Sequence, residues 1–224
     1  MLGDHDYGRR VWLRERLDQA GCEYVLSMGP EAKVFEQGTS FTIPPRKTKS
    51  GAAPRLPQPD REPGPLGELI ARLGVGSAQT VSFRDGPDGE PVTSTFIFAR
   101  VHAAHGWLGS REDRLRQHGP EWRTDAELPP REEWLIAEWP PGAEKPTDYW
   151  LSNLPADTQP DRLARLARLR WKIELDYKQL KGELGLDHYE GRSWLGWHHH
   201  TALVTAAHGF LTLERLHPFR PRPG

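Results

Sequence analysis

The sequence predicts a mixed α/β fold in which helical segments at both ends enclose a β-rich middle. Three observations lead there. Apolar residues among Arg and Glu recur at helical spacing near the N-terminus. Alternating β-prone runs in the middle are separated by Gly- and Pro-containing turns. The last third carries two long stretches with the helical period. Composition agrees: 36% hydrophobic and 27% charged residues, with 21 Pro and 22 Gly in 224 residues, describe a globular chain rich in loops and exclude collagen and coiled coil.

Taken in order, residues Tyr7 to Gly21 predict a helix, with Val11, Leu13, Leu17 and Ala20 apolar and Gly21 as the stop. Glu23 to Met28 is short and β-prone and ends at Gly29-Pro30. The stretch from Pro44 to Pro65 is rich in Pro, Lys and Arg with almost no large apolar residue, so a disordered loop is expected. Leu66 to Leu73 predicts a short helix. Thr80 to Phe83 and Val92 to Val101 flank Asp85-Gly86-Pro87-Asp88-Gly89 as the arms of a hairpin. A second hairpin is expected between Glu133 to Trp139 and Tyr149 to Leu151, turned by Pro140-Pro141-Gly142. Pro160 to Glu183 predicts one long helix, and Ser193 to His217 another, capped by Ser193 and stopped by Pro218.

Charge and cysteine usage narrow the function classes. Thirty Lys+Arg against 31 Asp+Glu give a net charge of −1, so any case for a nucleic-acid partner rests on local clustering. The single cysteine, Cys22, excludes an intramolecular disulfide and a Cys-rich zinc site, and reads as a small buried hydrophobe in a reducing, intracellular setting. Thr201 to Leu213, the most apolar stretch, is interrupted by His208, Gly209 and Thr212, so no membrane span is expected. The acidic start, Met1 to Asp6, does not resemble a secretory signal. Gly-rich phosphate loops, Ser-His-Asp patterns, zinc-finger spacings and fixed-period repeats are absent from the sequence.

The segment around Glu174 carries the candidate chemistry. On a helical wheel at ~100° per residue, Arg170, Lys178 and Lys181 fall within roughly 40° of Glu174. Leu166, Leu169, Ile173, Leu180 and Leu184 cluster about 100° away, the face expected to pack on a core. Two readings of the stripe follow. Arg170, Glu174 and Lys178 are i,i+4 ion pairs worth a few tenths of a kcal/mol each, or Glu174 is a metal ligand beside cations that grip phosphates.

The run Arg170-Trp171-Lys172-Ile173-Glu174 and its continuation through Lys181 to Trp194 resembles the Tyr-x2-Arg-x3-Glu-x6-Lys signature of insertion-sequence DDE transposases, preceded by Tyr149-Trp150-Leu151-Ser152-Asn153-Leu154-Pro155. Arg170, Glu174 and Lys181 stand at the signature's spacing; its Tyr position is Ala167, with Tyr177 nearby. The resemblance implies a partial ribonuclease-H-like fold. Residues 1–29 would be the second-acid segment, helix and strand of that core, 30–155 a β-rich insertion, 156–217 C-terminal helices with the final acid, and 218–224 a tail. Glu174 would be the final acid, and Asp4, in a segment resembling the family's Asp-x-x-Tyr, the second; both would ligate metal. Arg170, Lys178, Lys181 and Arg192 would hold DNA phosphates.

The family's first acid and its DNA-end-binding region would precede residue 1, so the resemblance implies a truncated chain, inactive alone. In the complete enzyme three carboxylates would bind two Mg²⁺ (or Mn²⁺) ions for DNA cleavage and strand transfer. The expected partners are transposon-end DNA and full-length transposase or a second copy as homodimer, in a bacterial cytoplasm beside the nucleoid. Asp4 and Glu174 would then lie within a few Å of one ion, with the Glu174 helix packed by Leu166, Leu169, Ile173 and Leu180 against Tyr24 to Met28. The alternatives are a non-catalytic DNA-binding remnant and an unrelated α/β binding domain in which the stripe is only ion pairs.

Two further constellations stand outside that reading. His198-His199-His200 offers at most one or two ligands to an ion, because adjacent helical side chains point about 100° apart; capping, packing and solvated roles are the alternatives. Trp194 and Trp197 are expected in a core, with stacking on an unpaired base as the alternative.

Overall fold

Alternation of side chains along the middle strands builds an eight-stranded mixed sheet with both faces covered. The computed structural model describes residues 1–45, 57–86, 89–104 and 131–216. The strands are β1 (Leu2–Gly3), β2 (Val25–Met28), β3 (Lys33–Glu36), β4 (Phe41–Thr42), β5 (Gln58–Pro59), β6 (Gly64–Pro65), β7 (Gln79–Asp85), β8 (Pro91–Ala103), β9 (Glu132–Glu138) and β10 (Asp148–Ser152). The helices are α1 (His5–Gly8), α2 (Val11–Gln19), α3 (Leu66–Leu73), α4 (Pro160–Leu169), α5 (Trp171–Gly182) and α6 (Trp194–Leu216). The chain divides into two units, Met1–Arg168 and Leu169–Gly224.

In the first unit the sheet order is β1-β2-β10-β9-β8-β3-β6, with β7 also on β8; β4 and β5 pair separately. The β1–β2 pair is parallel and joined through α1 and α2, whereas the other pairs are antiparallel. Strand β8 serves two neighbours on one edge, β7 along its first half and β3 near its end.

Period-two alternation explains how the sheet buries both faces. Leu135 and Ala137 of β9 and Tyr149 and Leu151 of β10 join one core with Leu66, Leu69 and Ile70 of α3. Ile136 and Trp150, in the opposite phase, join a second core with Leu163, Ala164 and Ala167 of α4. Each helix offers an i, i+3, i+4 apolar set and so covers one face.

Both expected hairpins form, as do the Leu66–Leu73 helix and the Val25–Met28 strand. Four expectations change. The helix expected from Tyr7 to Gly21 is two helices, because Arg10 takes extended backbone between them, and Gly8 at the end of the first sits so close to β2 that a Cβ there would lie 2.0 Å from the Ser27 carbonyl oxygen. Of the expected loop at 44–65, residues 46–56 lie outside the described residues. Its C-terminal part forms β5 on β4 and β6 on β3, Pro59 and Pro65 being tolerated in these two-residue strands. The long helix from Pro160 breaks at Arg170 into α4 and α5. Cys22 is exposed rather than buried, since it follows Gly21 in the turn that ends α2. The Pro87-Asp88 turn and the tail 218–224 lie outside the described residues.

A polar knot ties α2 to the strands beneath it. The Asn153 side chain accepts from the Tyr24 N–H at 2.7 Å and donates to Asp18 Oδ1 at 2.5 Å and to the Cys22 carbonyl at 3.1 Å. The Arg14 guanidinium, buried, donates to the Gly8 carbonyl at 2.8 Å and stands 3.8 Å from Glu133 Oε1. On the other side, Arg168 of α4 approaches the buried Glu138 carboxylate at 2.6 Å. No described helix is long and apolar enough to cross a membrane.

Candidate nucleic-acid interface

The second unit is built from α5, α6 and the connection between them. No residue of α5 is buried. That exposure corrects the expectation of a core-facing leucine stripe: Leu169 is 38% and Ile173 46% exposed, while Leu166 alone packs partly against the α4 core. The second unit offers no interior for them: among its described residues Val204 is the buried large hydrophobe. Ala167, at the signature's Tyr position, is buried in the α4 core, where a phenol ring has no room.

The cationic stripe is displayed to solvent. Arg170 Nη2 lies 3.0 Å from Glu174 Oε1, an i,i+4 ion pair whose carboxylate is 66% exposed. Lys178 and Lys181 are exposed on the same helix, and Arg192 is exposed at the end of the connection. Charge on such a surface is screened by salt and contributes little to stability, which leaves it available to phosphates.

The connection is pinned onto α6. Gly185, at φ +70°, lets the chain turn, and its carbonyl is 2.9 Å from His200 Nε2. The Tyr189 hydroxyl donates to the Ser193 carbonyl at 2.9 Å, and its ring lies 5.5 Å from that of His200. Ser193 caps α6 as expected, its Oγ accepting from the Gly196 N–H at 3.0 Å. His208 Nε2 stands 3.8 Å from Asp176, and Arg215 donates to Gln179 at 3.3 Å, so polar contacts hold the two helices together.

Trp194 and Trp197 are not core residues: they are 75% and 42% exposed. Among the described residues of this unit, Val204 is the buried large hydrophobe, so two indoles find no interior to enter. Of the three histidines, His200 bonds to Gly185, His198 lies against the two indoles, and His199 is exposed.

Asp4 belongs to the first unit. It directly follows β1 and caps α1, its Oδ1 accepting from the Asp6 and Tyr7 N–H groups at 3.0 and 3.3 Å. This puts a carboxylate at the carboxyl end of a parallel strand, where α/β sheets commonly place ligand-binding groups. Asp4 and Glu174 fall in different units, and among the described residues no group of three His, Cys, Asp or Glu is placed to hold a metal ion.

Sequence reasoning missed the buried carboxylates. Burial pushes the Glu133 carboxyl above the usual range, with Arg14 opposing, and burial also raises the Tyr24 hydroxyl. A signal was present: Glu133 shares its strand phase with Leu135 and Ala137, and Glu138 shares that of Ile136. No protein-family model and no curated protein matches the chain.

Proposed function

We propose that the chain carries part of the catalytic region of a DDE-type transposase, with a ribonuclease-H-like core as its finer fold, and that its second unit grips DNA through phosphates. The observation that carries this reading is Arg170, Glu174 and Lys181 in the signature's order and spacing at the start of and along α5, with Glu174, Lys178 and Lys181 exposed on that helix and Arg192 exposed beyond it. The parallel β1–α–β2 connection, with Asp4 at the strand's carboxyl end, supports the same reading. In it Asp4 and Glu174 are the second and final acids, Mg²⁺ or Mn²⁺ is the ion of the whole enzyme, and transposon-end DNA is the partner. Phosphoryl transfer belongs to the complete enzyme, and the property this reading assigns to the second unit is DNA binding.

Anisotropy of a labelled blunt duplex across a salt series is the test. Affinity should fall steeply with salt, and replacing Arg170, Lys178, Lys181 and Arg192 together by Ala should remove most binding and flatten the log–log slope by roughly three to four units. A second reading, an unrelated α/β binding domain, draws on the Arg170–Glu174 pair at 3.0 Å as a simple surface ion pair. Unchanged affinity and slope in the fourfold variant would select it.

A further inference from the structure

We infer that Trp194, Trp197 and His198 form a stacking platform for an unpaired nucleobase; this rests on the DNA reading above and specifies which feature of the DNA the second unit takes. The two indoles stack with centroids 5.5 Å apart and planes at 18°. His198 stands edge-on to both, at 4.3 Å from Trp194 and 5.0 Å from Trp197. Spacing of i, i+3 and i+4 places all three on one side of α6, so the arrangement is set by the helix. Trp194 remains 75% exposed within it, an unusually open position for the largest apolar side chain.

The surroundings select the occupant. On the wheel, the side that bears the indoles continues as Thr201, Thr205, His208 and Thr212, within roughly 40° of Trp194. Three of these are hydroxyls that donate to the carbonyl four residues back, each at 2.8 Å. The aromatic patch is thus short and bounded by polar groups. Other exposed apolar residues lie off that side, Leu195 and Leu213 about 100° away and Leu203 and Phe210 roughly 160–180° away. A helix-docking groove would need apolar residues continuing over several turns on the same side. A single flat ring needs only the platform, and its phosphate finds Arg192 two residues before Trp194 and the Lys178 and Lys181 stripe on the same unit. Base stacking on aromatic side chains with cations along the backbone is how unpaired strands are held without sequence preference.

The test compares a blunt duplex with the same duplex carrying a three-nucleotide unpaired thymidine end, by anisotropy at low salt, using the full chain. The chain should bind the unpaired end roughly tenfold or more tightly than the blunt one. In W194A/W197A that preference should vanish while blunt-duplex affinity stays within about twofold, and W194F/W197F should restore part of it. Equal affinity of the unaltered chain for both DNAs overturns the platform and leaves the phosphate-binding reading standing. A preference that survives W194A/W197A places the base elsewhere and also overturns it. Absence of binding to either DNA removes the DNA reading and the platform together. Should the double variant change only self-association in sedimentation, the indoles are a protein interface and the inference fails.

Discussion

At the scale of residues, Glu133 shows how burial and charge compete. Its carboxylate lies on β9 among fully buried apolar residues, with Arg14 3.8 Å away, a distance too long for a well-formed hydrogen bond. Desolvation outweighs the attraction, so the folded protein holds the carboxyl's proton more firmly than the unfolded chain does. The sign follows. Below the ordinary glutamate value, about 4.5, both states are protonated and nothing is lost. As pH rises above it, the unfolded chain releases a proton the folded protein keeps, and stability falls through the window up to the raised value. Glu133→Gln removes this titration. Urea unfolding of both proteins from about pH 4.5 upward should show the variant gaining on the parent by about 1.4 kcal/mol per pH unit within that window. A flat difference would mean that Arg14 keeps the carboxylate ionised after all.

At the scale of elements, the approach of α1 to β2 sets the connection that carries Asp4. Alanine at Gly8 would put a Cβ 2.0 Å from the Ser27 carbonyl oxygen and 2.8 Å from Met28 Sδ. Backbone cannot yield as a flexible side chain can, so α1 must lift and the Arg14 bond to the Gly8 carbonyl must stretch. Gly8→Ala should cost about 3 kcal/mol, whereas Gly76→Ala, with open space around it, should stay within about 0.5 kcal/mol. Chemical denaturation of the two variants checks both, and equal midpoints would show that α1 is not held by this contact. The elements legible in the sequence were those whose pattern is local: the β7–β8 and β9–β10 hairpins alternate around turns, and α3 shows its apolar side in eight residues. Strand β3 was not legible because its place is fixed by pairing with Val101 to Ala103, far along the chain. The break at Arg170 was not legible either, since neither Pro nor Gly marks it. For the candidate site, the solvent-facing charges on α5 followed from the wheel, but the exposure of Ile173 and of the two indoles depended on how little the second unit buries, which no local pattern records.

At the scale of the molecule, the two units differ in what holds them. The first owns both cores, with α3 and α4 covering the faces of the sheet. In the second, Val204 is the buried large hydrophobe among the described residues, and burying one valine contributes about 1.5 kcal/mol or a little more. Ordering a residue's backbone costs about 1–2 kcal/mol, so α5 and α6 depend on their own hydrogen bonds, the Ser193 cap and a few polar contacts between them. Such a unit opens with far less free energy than the sheet. Hydrogen exchange by mass spectrometry should therefore find amides of α5 and α6 exchanging orders of magnitude faster than those of β8, β9 and β10. Adding duplex DNA at low ionic strength should slow α5 and the first turns of α6 and leave the central strands unchanged, because the proposed contacts all lie on the second unit. High salt should abolish that slowing. If α6 amides were as protected as those of β9 without DNA, the second unit would owe its stability to something other than these contacts.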